Sequence, residues 1–501
     1  MSVCQLNSDQ VFQSDHADQG CGVGGGPAGL SLLSALRSHP STQRLKVALI
    51  DGQKLSTTRG NAEPLYSNRC SSLTPASVKF LRSIGAWDKV EHGRTQDYHG
   101  MEVWDGISGA KISFDPLDSQ RSGPGSGVLD AVGEMIPGSR FSRQNRQGGD
   151  AADPSASAIA KMCENQNLTA ALLGRLRASE DAEILDQTKV ESITLGPESE
   201  DEKAPDLSQW PIVTLADSRQ LAAKLLVGAD GANSPVRNFA DIQSEGWDYN
   251  QHGIVATLEV DRTFSEDELR TAYQRFLPTG PIALLPLPGN KASLVWSMST
   301  PFAAKLKALS PSDFAEMVNA AFRLRQVDLT YLLTHGTGDQ VHIADEVSWR
   351  LPNTPPAATG LPPAFPHIDS MQEGSIASFP LRMRHASTYT GHRVALIGDA
   401  AHTVHPLAGQ GLNLGLADAE ALANRIVYGV EHGMDIGTSW CLDEYNSQRW
   451  AKNNAVMGVC DKLQKLYGVE SGPIVWARSL GLNLVNSLGS VKGTIMRAAG
   501  T

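Results

Sequence analysis

Gly398-Asp399-Ala400-Ala401-His402 closes the apolar run Val394-Ala395-Leu396-Ile397 and is followed shortly by Pro406-Leu407-Ala408-Gly409-Gln410-Gly411-Leu412-Asn413. A buried strand thus delivers a carboxylate to its own end, and a glycine-rich turn opens a helix over 409–425. Asp399 can accept a hydrogen bond from a polyol hydroxyl. Free N–H groups at the helix start turn a positive dipole end toward an anion. The pairing suits a flavin dinucleotide, whose ring becomes an anion on reduction.

The phosphate end of such a cofactor needs a loop the backbone can approach closely, and Gly24-Gly25-Gly26-Pro27-Ala28-Gly29 has the GxGxxG spacing. Residues 30–36 read as the helix whose N-terminus receives the pyrophosphate. Asp51 follows the strand Leu45-Lys46-Val47-Ala48-Leu49-Ile50, at the separation expected of a carboxylate that binds ribose hydroxyls. Midway along the chain, Leu225-Leu226-Val227-Gly228-Ala229-Asp230-Gly231-Ala232-Asn233-Ser234-Pro235-Val236-Arg237 again ends a strand in an acidic turn. One Asp-Gly is ordinarily a β-turn; three strand-terminal glycine and carboxylate turns in this order are a pattern.

That pattern resembles the flavoprotein aromatic hydroxylases of the para-hydroxybenzoate hydroxylase type. The resemblance sharpens on Tyr66-Ser67-Asn68-Arg69-Cys70-Ser71-Ser72-Leu73-Thr74-Pro75-Ala76-Ser77, on Arg275-Phe276-Leu277-Pro278-Thr279-Gly280-Pro281-Ile282-Ala283-Leu284-Leu285-Pro286, and on Asp461-Lys462-Leu463-Gln464-Lys465-Leu466-Tyr467. Together these are similar to the mitochondrial ring hydroxylases of ubiquinone biosynthesis and their bacterial relatives, from about Gly24 onward. The resemblance implies FAD. Gly24, Gly26 and Gly29 would then cradle the pyrophosphate, Asp51 the ribose, and Asp230 and Gly231 the loop beside the dinucleotide. Arg69 would lie next to the flavin, Gln166 on the ribityl side, Gly398 and Asp399 at the ribityl or pyrophosphate, and Gly409, Gly411, Leu412 and Asn413 at the isoalloxazine edge.

Carbon-bound hydroxylation of a phenol needs an electrophilic oxygen that side chains do not provide, whereas reduced FAD with O2 does, as a flavin hydroperoxide. The protein contributes position, an apolar pocket and exclusion of water. No Ser-His-Asp set or carboxylate pair is convincingly spaced, so no catalytic base is named. His402 and His405 lack further ligands nearby and read as turn-capping residues, not as a metal site.

Composition fits this class. With 501 residues, 41% hydrophobic, the chain buries a large core across two or three domains. A net charge of -11 and the lack of basic runs with interleaved aromatics argue against a nucleic-acid partner. The six cysteines are scattered without a CxxC pair, which favours free thiols in a reducing compartment. No run of 18 apolar residues is present, so the sequence predicts no membrane span. Residues 473–499 mix Ile474, Val475, Trp476, Leu480, Leu484, Val485 and Leu488 with Arg478, Lys492 and Arg497. That face suits either a bilayer or the protein's own core.

The segments carrying these turns alternate between strand-like and helix-like periodicity, predicting an α/β fold. A Rossmann-like FAD-binding domain over 20–115 and 159–246 is interrupted by a low-complexity insertion at 116–158, rich in Gly, Ser, Arg, Gln and Asp. Residues 247–384 read as a mixed or antiparallel substrate-binding sheet domain, 385–430 as the return to the FAD-binding domain, and 431–501 as a C-terminal helical region. Residues 1–19 are atypical, and Asp15-His16-Ala17-Asp18-Gln19-Gly20-Cys21-Gly22 is polar where the first buried strand belongs. That strand is expected to be lost, at a cost to stability and FAD affinity. Residues 1–20 also lack the Arg-rich pattern of a mitochondrial presequence; a misassigned first exon or a variant chain explains both features.

No second GxGxxG follows a strand, so no separate nicotinamide domain is read. The resemblance implies a ferredoxin and its reductase as electron source, a polyprenylated phenolic substrate, O2, other ubiquinone-biosynthesis proteins as partners, and a peripheral position on the matrix side of the mitochondrial inner membrane. Two alternatives remain at this level: an NAD(P)H-dependent hydroxylase of soluble aromatics, and a non-catalytic scaffold of a quinone-biosynthesis complex.

Overall fold

The computed structural model describes residues 4–5, 19–56, 65–114, 158–178, 182–198, 206–261, 270–336, 342–406 and 409–487. The predicted insertion at 116–158, apart from Ala158, lies outside these residues, as does most of 1–19. Gln19–Val23 forms a strand, β1, and this overturns the expectation that the polar run forfeits it. It pairs in parallel with Lys46–Ile50 (β2) on one side and Leu225–Gly228 (β8) on the other, Gly20 lying opposite both Val47 and Leu225. Main-chain hydrogen bonds to two neighbours hold a strand whatever its side chains, and the apolar burial is supplied by those neighbours, whose residues from Val47 to Ile50 and from Leu225 to Val227 are buried. Among the described residues the sheet runs Thr390–Gly391, Val394–Leu396 (β14), β8, β1, β2, Ala182–Leu185 (β7).

Pro27–Ser38 (α1) follows β1 directly. Pro27 pre-sets the first helical φ, and Leu30, Leu33 and Leu36 are buried in the core of this layer. The long helix Gln410–Glu431 (α5) packs beside α1, close enough that Gly415 approaches Gly398 and Ala28.

A second, larger sheet runs in the order His402–Thr403 (β15), Ala377–Ala386 (β13), Ser244–Val260 (β9), Lys291–Ser299 (β12), Ile282–Leu287 (β11), Thr271–Phe276 (β10), Gly100–Asp105 (β4), Lys111–Phe114 (β5). It is mixed: β10 is parallel to β4, and the β9–β12 and β9–β13 pairs are antiparallel. One face is closed by Pro311–Arg323 (α4), whose Phe314, Val318 and Phe322 share a core with Trp104, Ile254 and Trp296. β4 and β5 thus belong to this sheet, although their sequence position falls within the predicted 20–115 segment. A hydrophobic run of a few residues cannot by itself declare which of two sheets it joins.

Cys70–Leu73 (β3) and Ala160–Glu164 (β6) pair between the two sheets; Pro75–Ser83 (α2) follows β3, and Asn165–Leu176 (α3) follows β6. The chain closes with Ser439–Tyr467 (α6) and Pro473–Ser487 (α7). α7 is anchored on the larger sheet: Arg478 donates to Asp105 at 2.9 Å and 3.1 Å, both residues being buried. The same helix leaves Ile474, Trp476 and Leu480 exposed, so it packs on the protein and presents an apolar face at once. No helix of the described residues is long and apolar enough to cross a membrane.

Candidate functional site

The three strand-end turns meet at the ends of β1, β8 and β14. Gly24 has φ +116°, and a Cβ there would sit 2.1 Å from the Ala229 carbonyl oxygen. A Cβ on Gly29 would fall 2.1 Å from the Gly24 oxygen, so both glycines are demanded by close backbone approach. Gly26 differs. It has ordinary backbone angles (φ -70°, ψ 172°) and open space where a Cβ would stand. Beside it, α1 begins without a side-chain cap, so its first N–H groups face a loop with room for an anion. Asp51, at the end of β2, accepts from Gly25 N at 2.6 Å and from Gln53 N at 2.7 Å, which fixes its carboxylate against the glycine loop.

Asp230 accepts from Val236 N through Oδ2 at 3.2 Å, whereas its buried Oδ1 has no partner among the described residues. Burial raises the Asp230 carboxyl above the usual aspartate range, opposed by hydrogen bonds from Ser234 and Val236. Gly231 has φ +85° and open space above it. Arg237 ties this turn to the next by donating to Ala232 O and Ala400 O, each at 2.8 Å.

Gly398 has φ +59°, and a Cβ on it would stand only 3.3 Å from that of Ala28, so this turn lies directly over the start of α1. Asp399 is the exposed side chain of the turn, yet protein crowds it closely enough to raise its carboxyl above the usual range, His402 opposing. Gly409 opens α5 in the left-handed conformation (φ 59°, ψ 23°), and this N-cap position supplies no side-chain cap. Gly411 and Leu412 occupy its first turn, both partly buried. Asn413 is occupied internally. Its side chain donates to Ser72 O at 2.8 Å and accepts from Thr74 N at 3.0 Å and Ser77 Oγ at 2.8 Å, clamping the helix start onto β3. Arg69 and Gln166 are both exposed at the same end of the β3–β6 pair, where Asn165 N donates to Arg69 O at 2.9 Å.

The structure therefore brings Gly24, Gly26, Gly29, Asp51, Asp230, Gly231, Gly398 and Asp399 around one junction. Gly409, Gly411, Leu412 and Asn413 lie at the start of the helix beside it, and Arg69 and Gln166 beyond β3. The donor set fits an extended dinucleotide: two uncapped helix N-termini, glycines that let phosphate approach, an orphaned buried carboxylate oxygen, and an exposed carboxylate between them. Among the described residues no group of three or more His, Cys, Asp or Glu could hold a metal ion.

A buried layer behind the Gly398 turn was not singled out in the sequence. Asp418 of α5 accepts from Gly398 N at 3.1 Å and His402 Nε2 at 2.6 Å on one oxygen, and from Arg449 Nε at 2.8 Å and Asn453 Nδ2 at 3.0 Å on the other. Burial pushes the Asp418 carboxyl upward, but His402 and Arg449 outweigh it and hold it well below the usual range. Its signal in the sequence was an acid on the stripe of α5 that also carries Leu414 and Leu422, an arrangement that a purely apolar helix face would not contain. His405, just before Pro406, is also buried: its ring meets the Tyr249 ring edge-on at 5.0 Å, and burial pushes its pKa down to about 4, Asp461 opposing.

A family model described as an FAD binding domain matches residues 20–347 and 365–458. The chain is 36% identical to the ubiquinone biosynthesis monooxygenase COQ6, mitochondrial, of Saccharomyces cerevisiae, covering 95% of this chain and 92% of that protein. Its counterpart in Schizosaccharomyces pombe is also 36% identical, covering 95% and 90%. Among solved structures, p-nitrophenol 4-monooxygenase PnpA from Pseudomonas putida DLL-E4 aligns over 96% of both chains with a TM-score of 0.62 at 18% identity, a likeness of fold alone.

Proposed function

This chain belongs to the FAD-binding monooxygenases of ubiquinone biosynthesis, and from that premise we propose which of its residues hold the cofactor and how the protein meets its substrate and electron donor. It is an FAD-dependent monooxygenase that hydroxylates an aromatic ring of a ubiquinone precursor. The observation that carries the residue assignment is the convergence of the Gly24, Asp230 and Gly398 turns on two helix N-termini without side-chain caps.

In this reading Gly24, Gly26, Gly29 and the start of α1 hold the pyrophosphate, and Asp51 holds the adenosine ribose. Asp399 receives a ribityl hydroxyl, and the N–H groups of Gly411, Leu412 and Asn413 lie at the ring edge with the positive end of α5. From the β3–β6 side, Arg69 lies next to the flavin and Gln166 on the ribityl side. When bound, reduced FAD with O2 supplies the electrophilic oxygen. The chain's own residues orient the cofactor, exclude water and hold the phenol. No side chain is assigned as a base.

The substrate carries a polyprenyl tail, and the C-terminal helices support contact with a bilayer. Val459 and Leu463 on α6 and Ile474, Trp476 and Leu480 on α7 are exposed apolar residues, with Lys462 and Lys465 exposed among them. We assign this surface to peripheral contact with the matrix side of the inner membrane. A ferredoxin and its reductase are the proposed electron source, with other ubiquinone-biosynthesis proteins as neighbours.

The test begins with the visible absorption spectrum of the purified chain, followed by O2 uptake with a prenylated phenol and either NAD(P)H or a ferredoxin with its reductase. Flavin bands and uptake with the ferredoxin pair only would support the reading. Uptake with NAD(P)H on untailed phenols would favour soluble aromatic chemistry, and colourless protein that takes up no FAD would defeat the cofactor assignment.

A further inference from the structure

We propose that Asp418 is a positioning residue for the flavin: a fully buried carboxylate that fixes the cofactor-facing turn from behind and contributes a permanent negative charge beneath it. This rests on the FAD reading of the Gly398 turn. Gly398 and His402 bracket Asp399, and both are hydrogen-bonded to the same Asp418 oxygen, at 3.1 Å and 2.6 Å. The two contacts determine where the Asp399 carboxylate stands relative to the start of α5. A carboxylate only accepts, so Nε2 of His402 carries the proton it donates, and the ring orientation follows from that bond.

The other oxygen is held from α6, by Arg449 Nε at 2.8 Å and Asn453 Nδ2 at 3.0 Å. Arg449 also donates to Asn453 Oδ1 at 2.7 Å, and Asn453 to the Tyr389 hydroxyl at 3.1 Å, which in turn lies 2.9 Å from His385 Nε2 on β13. Asp418, Asn453 and Tyr389 have no exposed surface, and His402 and Arg449 are buried. One acid thus joins the flavin turn, the C-terminal helix and the substrate sheet. Every position on both of its oxygens is used, which is the arrangement expected of a group that orients others and does not itself react.

The full-length protein with FAD supplies the test. Asp418→Asn keeps the shape, removes the charge and can no longer accept on both oxygens. The expected result is an FAD dissociation constant raised about tenfold or more, an altered visible flavin spectrum, and a less negative flavin reduction potential, because Arg449 is left uncompensated near an anion-forming ring. His402→Gln, which removes one of the two contacts to the turn while leaving Asp418 charged, should weaken FAD less and move the potential little. Asp105→Asn is the comparison for a purely structural buried ion pair: Asp105 meets Arg478 with both side chains 1% exposed, away from the flavin turns. It should lower the melting temperature without moving FAD affinity or potential. If Asp418→Asn fails to fold, the His402→Gln affinity decides, an unchanged dissociation constant overturning the proposal. A folded Asp418→Asn protein with wild-type affinity, spectrum and potential would overturn it while leaving the FAD reading intact. Wild-type protein that does not bind FAD would overturn both.

Discussion

Asp399 and Asp418 serve the same turn from opposite sides, one exposed to the cleft and the other with no exposed surface. Only the exposed one can touch a ligand, so Asp399→Ala should lose FAD on desalting while keeping its melting temperature as apoprotein, read by flavin absorbance against total protein. His405 poses a different question. Its folded-state pKa is lowered to about 4, so below about pH 6.5 the unfolded chain binds a proton that the native chain refuses. The stability it contributes is fully present at neutral pH and is lost as pH falls from about 6.5 to about 4, by up to about 1.4 kcal/mol per pH unit. Tyr249 and Asp461 face the ring, and Asp461 opposes the shift only in part. Burial lowers His385 to about 4 as well, so urea denaturation across this window should show the two contributions together, and His405→Phe should reduce the slope without abolishing it.

At the scale of elements, the β1–α1 loop separates glycines that build the fold from the glycine that leaves room for a ligand. Gly24→Ala places a methyl 2.1 Å from the Ala229 oxygen at φ +116° and should cost about 2 kcal/mol or more in apoprotein stability. Gly26→Ala meets nothing within 4 Å and has permitted backbone angles, so thermal unfolding of its apoprotein should match wild type. FAD titration should then separate them, because the Gly26 methyl occupies the space that the pyrophosphate would enter. The spacing announced the loop, but not which glycine does which task, because that depends on how near β8 comes to the turn. The polar β1 sequence was likewise misleading: the strand is held by main-chain pairing with β2 and β8, which lie more than twenty residues away along the chain.

Across the whole molecule, α7 holds the C-terminal region to the larger sheet through one buried ion pair while presenting an apolar face. Arg478→Met removes the ion-pair partner of Asp105 where both side chains were 1% exposed, leaving it the Ile107 and Ser108 hydrogen bonds and the Arg275 charge, and should cost about 3 kcal/mol, measured by chemical denaturation. Trp476→Ala with Leu480→Ala should leave FAD content and melting temperature near wild type but reduce sedimentation with anionic phospholipid vesicles. Equal sedimentation of both proteins would remove this helix as the membrane contact.

Local spacing was enough to announce the class of cofactor site, because a GxGxxG loop, a following Asp51 and a strand ending in Gly398-Asp399 encode local geometry: tight turns, helix starts and carboxylates at strand ends. It also marked the exposed apolar residues of the last helix as a feature open to two readings. Partnership across distance was not legible in the chain. Asp418 meets Gly398 and Arg449, β4 and β5 join the larger sheet, and Arg478 finds Asp105, in each case through residues far apart in the chain. Periodicity reports which face of an element is buried, but the identity of the neighbour that buries it emerges only when the layers pack.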